Sequence, residues 1–409
     1  MQRTFTTGAL AAALLVPATT WASDATAKLR AATDAALADA QTKTDFNAES
    51  LSAGHDGKFF LESPEGDFRL NISGQLQARY IANFRNGNAD DAENGFGLRR
   101  TKFGFSGHVT QEEKFTYDIG FSVDDDGGET SLEDAKIGYK LADDLKVTLG
   151  QFKLPFAREE LISSKRQLGA DRSVATEFFT LDRSQGFQFD YTGIDNLKIK
   201  ASLTDGFDNA NNDFNNGNDD NSDLVLTARG DYKVFSEGKK NDRDVVAWEG
   251  QKLLQLGAAA SWSIGDTDDD GGDFEQFTWT IDGLYKEGNF SFIGAFFGLH
   301  IDDDDTGSTN DFGLNLGAGY LIDDTIQPFI RYSYIDFDDE GELNAIEIGF
   351  NYFIKKHKAK FTLDAVIFLD ELAPPGRFPN DPGSGIGVLD DAAGEDGQVA
   401  LRAQYQLLF

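Results

Sequence analysis

The residues of this chain with the clearest chemical potential are basic side chains gathered in one segment, 153–183. Five of them are the strongest candidates for contact with an anion: Lys153, Arg158, Lys165, Arg166 and Arg172. Lysine and arginine carry fixed positive charges, and the planar guanidinium group can also bind phosphate through two parallel hydrogen bonds. The chemistry on offer is therefore electrostatic rather than covalent.

A second set of cations recurs at every other position of strand-like segments. Lys198 and Lys200, for example, alternate with Leu197, Ile199 and Ala201. The same phase places four further candidates on the polar face of their segments: Arg79, Arg100, Lys102 and Arg331. Successive side chains of a strand point to opposite faces, and a channel wall lined by Lys or Arg favours anions. In the alternative interpretation, these cations form ion pairs with carboxylates on the same wall and keep its surface hydrated, without selecting anions.

The elements that must position these cations are long strands. Apolar residues occupy every second position from Phe68 to Phe84, a run of seventeen residues, whereas strands of soluble proteins average about five or six residues. Sixteen such segments follow one another up to Phe409. Ten or more residues with one apolar and one polar face suit a bilayer-spanning barrel. We predict an all-β fold, a 16-stranded antiparallel transmembrane β-barrel, over residues 67–409.

The N-terminal part of the chain has a different character. Residues 1–22 combine the basic Arg3, a short apolar core and a small-residue site ending at Ala22, which is typical of an export signal. Residues 23–66 are predicted to form an Ala-rich periplasmic linker or a short helix, with a connecting loop over 50–66. At the other end, a strand with alternate apolar residues ends in Phe409, which resembles the assembly signal of bacterial outer-membrane proteins.

The connections between the strands carry most of the negative charge. The chain has 70 Asp and Glu against 37 Lys and Arg, for a net charge of −33. The predicted external connections are long and acidic, with the densest runs at 266–273 and 302–305, and most of the opposite turns are short. Such a rim repels anions, although screening over ~8 Å at physiological salt limits its reach. The Asp runs either bind divalent cations or are simply solvated.

Several functions are excluded or disfavoured. The chain has no cysteine and only four histidines in unrelated regions, and it lacks the G-x-S-x-G, H-E-x-x-H and phosphate-loop patterns. We therefore predict no catalytic residue, no metal ligand and no cofactor. The strongly acidic composition argues against nucleic-acid binding.

One region resembles a known family. The run Leu149-Gly-Gln-Phe-Lys-Leu-Pro-Phe156, followed by the basic segment described above, is similar to the phosphate-selective porin O and P family. The resemblance implies a homotrimer of water-filled barrels. It also implies that the third external loop, here 153–183, folds inward and narrows the pore.

Together these patterns predict a porin of the bacterial cell outer membrane. It would let small anionic solutes diffuse passively, with phosphate as one candidate. The expected partners are outer-membrane lipid and lipopolysaccharide, the outer-membrane assembly machinery, small anions such as phosphate and two further copies of the chain. Two alternatives remain: a general or cation-preferring porin governed by the acidic external loops, and a plugged structural or adhesive barrel.

Overall fold

The structure is a computed structural model that describes residues 30–31, 33–35, 51–84, 92–110, 112–123, 128–207, 224–237, 242–248, 250–266, 273–304, 307–338, 341–369, 385–387 and 397–409. The chain forms two compact units, Met1–Ser52 and Ala53–Phe409. In the first unit residues 30–31 and 33–35 are helical, and the predicted export signal lies outside the described residues. None of the described helices is long and apolar enough to cross a membrane.

The second unit is built almost entirely of strands. They are β1 (Ser52–His55), β2 (Phe59–Glu62), β3 (Arg69–Phe84), β4 (Ala92–His108), β5 (Phe115–Val123), β6 (Thr130–Ala142), β7 (Leu145–Lys153), β8 (Arg183–Ile194), β9 (Leu197–Thr204), β10 (Leu224–Glu237), β11 (Lys252–Asp266), β12 (Asp273–Glu287), β13 (Phe290–Asp303), β14 (Gly307–Tyr320), β15 (Ile326–Phe337), β16 (Gly341–Phe353), β17 (Ala359–Phe368) and β18 (Val399–Leu408). Between β7 and β8 lie α1 (Arg158–Leu161), a 3-10 turn (Ser164–Arg166) and α2 (Val174–Phe179).

Strands β3 to β18 form a closed antiparallel barrel of sixteen strands. Each strand pairs with the next, and β18 returns to pair with β3, with Leu401 opposite Ala82. The predicted fold class and all sixteen segments are confirmed, with ends that shift by a few residues. Side chains on one face of the wall, such as Ile281 and Ile348, are more than half exposed to the outside, and those on the other face point into the lumen.

The predicted connecting loop over 50–66 differs from the structure, because it contains β1 and β2. Strand β2 pairs with the first residues of β3, Phe59 lying opposite Ile72. Strand β18 ends just before this point, and Gly74 and Phe409 exchange two backbone hydrogen bonds of 2.8 and 3.1 Å. The first residues of β3 therefore have no partner in β18, and β2 pairs with them instead. The segment 50–66 is too short and too rich in glycine for its strands to be recognised from the sequence.

A glycine at position 74 lets the terminal ring lie directly against the backbone of β3. A Cβ atom there would lie 2.2 Å from the ring of Phe409. The small residue on β3 thus leaves room for the last side chain of the chain at the seam, where β18 pairs with β3 and the barrel closes.

The segment 154–182, which we call the inner loop, lies inside the barrel. Its Asp171 contacts Arg79 of β3, its Arg158 contacts Asp282 of β12, and its Ala170 N–H donates to Asp364 of β17. These three strands lie on different sides of the closed wall, so one segment can reach all of them only through the lumen. The expectation that this loop folds inward agrees with these contacts.

The inner loop also explains strand β13, whose sequence is apolar on both faces. Phe296 points outward and is 43% exposed, whereas Phe297 points inward and is fully buried. The ring of Phe297 stacks on that of Phe179 in α2, with centroids 5.1 Å apart. An inward apolar face is therefore stable here, because the inner loop covers it.

A second segment, 242–248, enters the lumen from the opposite barrel end, and we call it the turn segment. It belongs to the long connection between β10 and β11. Its Val245 shares an apolar cluster with Ile162 and Leu168 of the inner loop. The two segments therefore meet inside the barrel.

Candidate functional site

The start of the inner loop is fixed by a square of four buried charges. The Arg158 guanidinium group donates to Asp231 and Asp282, at 2.7 Å each. Arg229 donates to the same two carboxylates, also at 2.7 Å. Two positive and two negative charges cancel, and each arginine uses several donors of its planar fork. Arg158 is therefore committed to holding the loop against β10 and β12.

A single carboxylate holds the middle of the loop. Asp171 accepts hydrogen bonds from Arg79 (3.1 Å), Arg99 (3.0 Å) and Arg100 (2.8 Å). Burial alone would raise the pKa of this carboxyl group, but the charges of Arg100, Arg99 and Arg79 outweigh it and hold the pKa well below its usual range. The ionised form of Asp171 is therefore favoured in the folded barrel.

A third cluster lies deeper in the lumen around Arg331. This arginine donates to Glu159 of α1 at 2.7 Å and also bonds Glu347 of β16. The carboxylate of Glu347 in turn lies 3.0 Å from the guanidinium group of Arg402, which pairs with Asp364 at 2.8 Å. All five side chains are buried, so the cluster ties the loop to β15–β18.

The remaining predicted cations of the loop segment divide into two kinds. Lys153 and Arg172 share the carboxylate of Glu160. Lys165 and Arg166 occupy the 3-10 turn and are half-buried, and among the described residues neither forms a salt bridge. Burial lowers the pKa of Lys165, and the nearby charges of Arg166 and Lys58 lower it further. Positive charge is therefore concentrated at this turn.

The side of the lumen wall that the inner loop does not cover carries solvent-accessible lysines. Lys102 contacts Glu133, and Lys198 and Lys200 share Asp190 at 3.6 and 3.3 Å. Their side chains keep exposed fractions of 19%, 33% and 19%, respectively. These charges are partly compensated but hydrated, unlike the buried arginines.

A cavity of 540 Å³ lies along this wall near the ends of β3–β7. Its lining includes His108 and the charged residues Asp56, Arg69, Glu113, Asp118, Lys136 and Lys146. Lys165 interacts electrostatically with Asp118, so the basic turn of the inner loop borders the same solvent-filled region. The structure thus leaves an open space beside this wall, which we call the passage, while the inner loop packs against β10, β12 and β15–β18 on the other side.

The eleven predicted site residues are therefore not equivalent. Five are buried arginines bound to carboxylates: Arg79, Arg100, Arg158, Arg172 and Arg331. Four are partly exposed lysines that also pair with carboxylates: Lys102, Lys153, Lys198 and Lys200. The other two, Lys165 and Arg166 of the 3-10 turn, form no salt bridge among the described residues.

Sequence reasoning missed the partners of these cations and the turn segment. The sequence analysis assigns no role to Asp171 or Glu159, which anchor the loop through Arg100 and Arg331. The turn segment had a usable signal: the connection between β10 and β11 is long for this barrel end, and residues 244–248 read Asp-Val-Val-Ala-Trp. An apolar run in a long turn indicates a segment that packs against the protein.

Comparison with known proteins agrees with this architecture. The family model described as "Phosphate-selective porin O and P" matches residues 70–282. No curated protein sequence matches the chain. Among solved structures, an anion-selective porin from Comamonas acidovorans is similar with a TM-score of 0.62 and 11% identity, over 83% of this chain and 99% of that one.

Two other solved barrels are similar. The outer membrane channel DcaP of Acinetobacter baumannii has a TM-score of 0.58 and 12% identity, over 85% of this chain and 99% of that one. OmpT of Vibrio cholerae has a TM-score of 0.56 and 11% identity, over 83% and 98%. At these identities the likeness concerns the fold.

Proposed function

The chain belongs to the phosphate-selective porin O and P family and is a bacterial outer-membrane channel protein, and we propose that it conducts small anions by passive diffusion. Both the family and the fold point to a channel rather than an enzyme. We propose further that the basic residues of the inner loop and of the lumen wall determine which ions pass.

The observation that carries the proposal is the charge of the 3-10 turn. Lys165 and Arg166 are the basic residues of the inner loop that form no salt bridge among the described residues, and they border the passage. A fixed cation in a narrow passage acts on permeating ions more strongly than a charge at a solvated rim, since less water screens it. Across the passage, Lys102, Lys198 and Lys200 extend the positive wall.

The solute that this lining fits is a small inorganic anion. Chloride needs only the positive potential, whereas phosphate also gains from the guanidinium fork of Arg166. Most residues of the acidic external connections lie outside the described part of the chain. Their charge acts at the mouth and weakens with salt, so we expect it to modulate the rate of capture rather than the sign of selectivity.

The test is the reversal potential of single channels in a KCl gradient. The wild-type protein is expected to prefer Cl⁻ over K⁺, and Lys165→Gln combined with Arg166→Gln should shift the potential toward K⁺. Asp302→Asn combined with Asp303→Asn is the matched control, with two charges removed at the rim, and should change the potential mainly at low salt. A wild-type channel that prefers K⁺ would favour the cation-preferring alternative, and a lack of ohmic steps would favour a plugged barrel.

Export, assembly and oligomerisation complete the proposal. We propose cleavage after Ala22, recognition of the strand that ends in Phe409 by the assembly machinery, and a homotrimer in the outer membrane among lipid and lipopolysaccharide. Unheated protein in mild detergent should migrate near three times the monomer mass, and a monomeric species would contradict the trimer. Deletion of Phe409 should lower the amount of heat-modifiable barrel, because its bonds to Gly74 close the seam.

A further inference from the structure

The turn segment is held in the lumen by Asp244. Its carboxylate accepts hydrogen bonds from the Trp248 indole N–H (2.9 Å) and the Val246 backbone N–H (3.0 Å), and it lies 3.0 Å from Nε2 of His357. The Trp248 ring packs edge-on against Phe353 at 4.9 Å between centroids. Residues 244–248 are all buried, so this part of a long turn has a defined position.

The neighbouring residue, Arg243, has the opposite character, because its side chain is exposed. Two residues further on, Val245 packs into the apolar cluster shared with the inner loop, and Val246 and Trp248 pack into a second cluster with Leu321 and Phe353. This packing on both sides fixes where the Arg243 backbone lies. Its carbonyl oxygen lies 3.5 Å from Nη1 of Arg166. The two arginines therefore approach each other from opposite ends of the barrel.

The charges around this meeting point are predominantly positive. Arg243 interacts electrostatically with Lys200 of the solvent-accessible wall, and Lys200 lies beside Lys198. Carboxylates of the described residues in this region are Asp190, shared by the two lysines, and Asp242, which pairs with Lys233 at 3.1 Å and also interacts electrostatically with Arg243. An exposed arginine at this position adds positive charge between Arg166 of the inner loop and Lys200 of the solvent-accessible wall.

We propose that Arg243 is a second ion-contacting residue, and that the narrow part of the channel is formed jointly by the inner loop and the turn segment. The inference rests on the proposed anion selectivity and deepens it. Arg166 and Arg243 would act on one small inorganic anion from two segments of the chain. Asp244 is then a positioning residue, which holds Arg243 in place without touching the ion.

The experiment compares single-channel reversal potentials in KCl for the wild type, Arg243→Gln, Arg243→Lys and Lys252→Gln. Arg243→Gln should lower the Cl⁻/K⁺ permeability ratio by about twofold to fivefold, the range expected for one water-screened unit charge. Arg243→Lys keeps the charge and should retain most of the ratio. Lys252→Gln removes a cation at the same barrel end but on the outer face, where Lys252 pairs with Glu287, and should leave the ratio unchanged.

A second measurement uses inorganic phosphate as a blocker of the chloride current. Arg243→Gln should raise the phosphate concentration for half-block, and Arg166→Gln should do the same. If Arg166→Gln changes selectivity while Arg243→Gln behaves like Lys252→Gln, the inference about Arg243 is overturned and the proposed function survives. A wild-type channel that prefers K⁺ would instead overturn the proposed function.

Discussion

The arginines on one side of the barrel lumen are buried in ion pairs, whereas the lysines on the other side are in contact with solvent; two lysines, Lys286 and Lys360, are also buried on the first side. The side formed by β10–β18 and β3, which we call the packed wall, buries Arg79, Arg229, Arg331 and Arg402 against carboxylates under the inner loop. The side formed by β4–β9, the open wall, carries Lys102, Lys136, Lys146, Lys198 and Lys200, all partly exposed. Arg100 lies at the boundary and belongs with the buried group.

The difference follows from how the two side chains bind. A guanidinium group has five donors in a rigid fork and is weakly hydrated, so it can satisfy two carboxylates and a carbonyl group at once when buried. Arg229 does this with Asp231, Asp282 and the Phe156 carbonyl oxygen. An ammonium group is compact and strongly hydrated, which suits a wall in contact with water. The arginines of the packed wall thus stabilise the structure, whereas the lysines of the open wall provide positive charge at a surface in contact with solvent.

The largest effect is expected from removing a carboxylate of the packed wall. Asp282→Asn leaves Arg158 and Arg229 with one carboxylate between them, and the loss of one partner of a buried ion pair costs about 3–5 kcal/mol. The measurement is the denaturant midpoint of the barrel in lipid vesicles. Asp190→Asn is the matched control, since Asp190 also serves two cations, but on the open wall. We expect it to cost about 1 kcal/mol or less, and equal losses for the two variants would contradict the distinction between the walls.

A smaller effect is expected from exchanging the two kinds of cation. Arg229→Lys keeps the charge but loses bonds of the fork, which should cost about 2–3 kcal/mol of unfolding free energy. Lys200→Arg on the open wall should be nearly neutral, with selectivity retained. Unfolding measured in the same vesicles tests both. If Arg229→Lys were as stable as the wild type, charge rather than geometry would hold the packed wall together.

The smallest effect concerns acid, which should loosen the turn segment before the inner loop. Burial lowers the pKa of His357, with Asp244 opposing the shift and Lys360 and Arg166 adding to it. The neutral imidazole is therefore favoured in the folded state, so its contribution to stability is complete above the ordinary pKa of about 6.5 and is lost as the pH falls through the lower folded value. The contribution of Asp171 is present above about pH 3.9 and is lost only below that, because its folded pKa is lower still.

The check is the emission of Trp248, which lies 5.4 Å from the His357 ring, in a variant with Trp262→Phe and Trp279→Phe. The emission should change as the pH falls below the ordinary pKa of histidine, about 6.5, while the single-channel conductance set by the inner loop stays constant. His357→Gln should abolish the change. A conductance jump in the same pH range would show that the inner loop releases first.

The sequence by itself determined the wall of the barrel. Alternation such as that of Phe68 to Phe84 is a local property, and a period of two fixes which side chains face lipid and which face the lumen. The strand number, the polarity of the inner face and the family resemblance of residues 149–156 therefore followed from the residues alone. So did the inward position of the loop that follows them, as an implication of that resemblance.

Only the tertiary structure decided what each lumen cation does. Arg331 and Lys200 look alike in the sequence, because both sit on the polar face of an alternating strand. The inner loop then buries Arg331 against Glu159, 172 positions away in the chain, and leaves Lys200 in contact with water. The inner loop also covers the inward face of β13, so this strand can be apolar on both faces. A period of two cannot show which of its apolar side chains point inward. Pairing between distant residues is a property of the folded lumen, so the division between structural and solvent-exposed cations could not be derived from spacing.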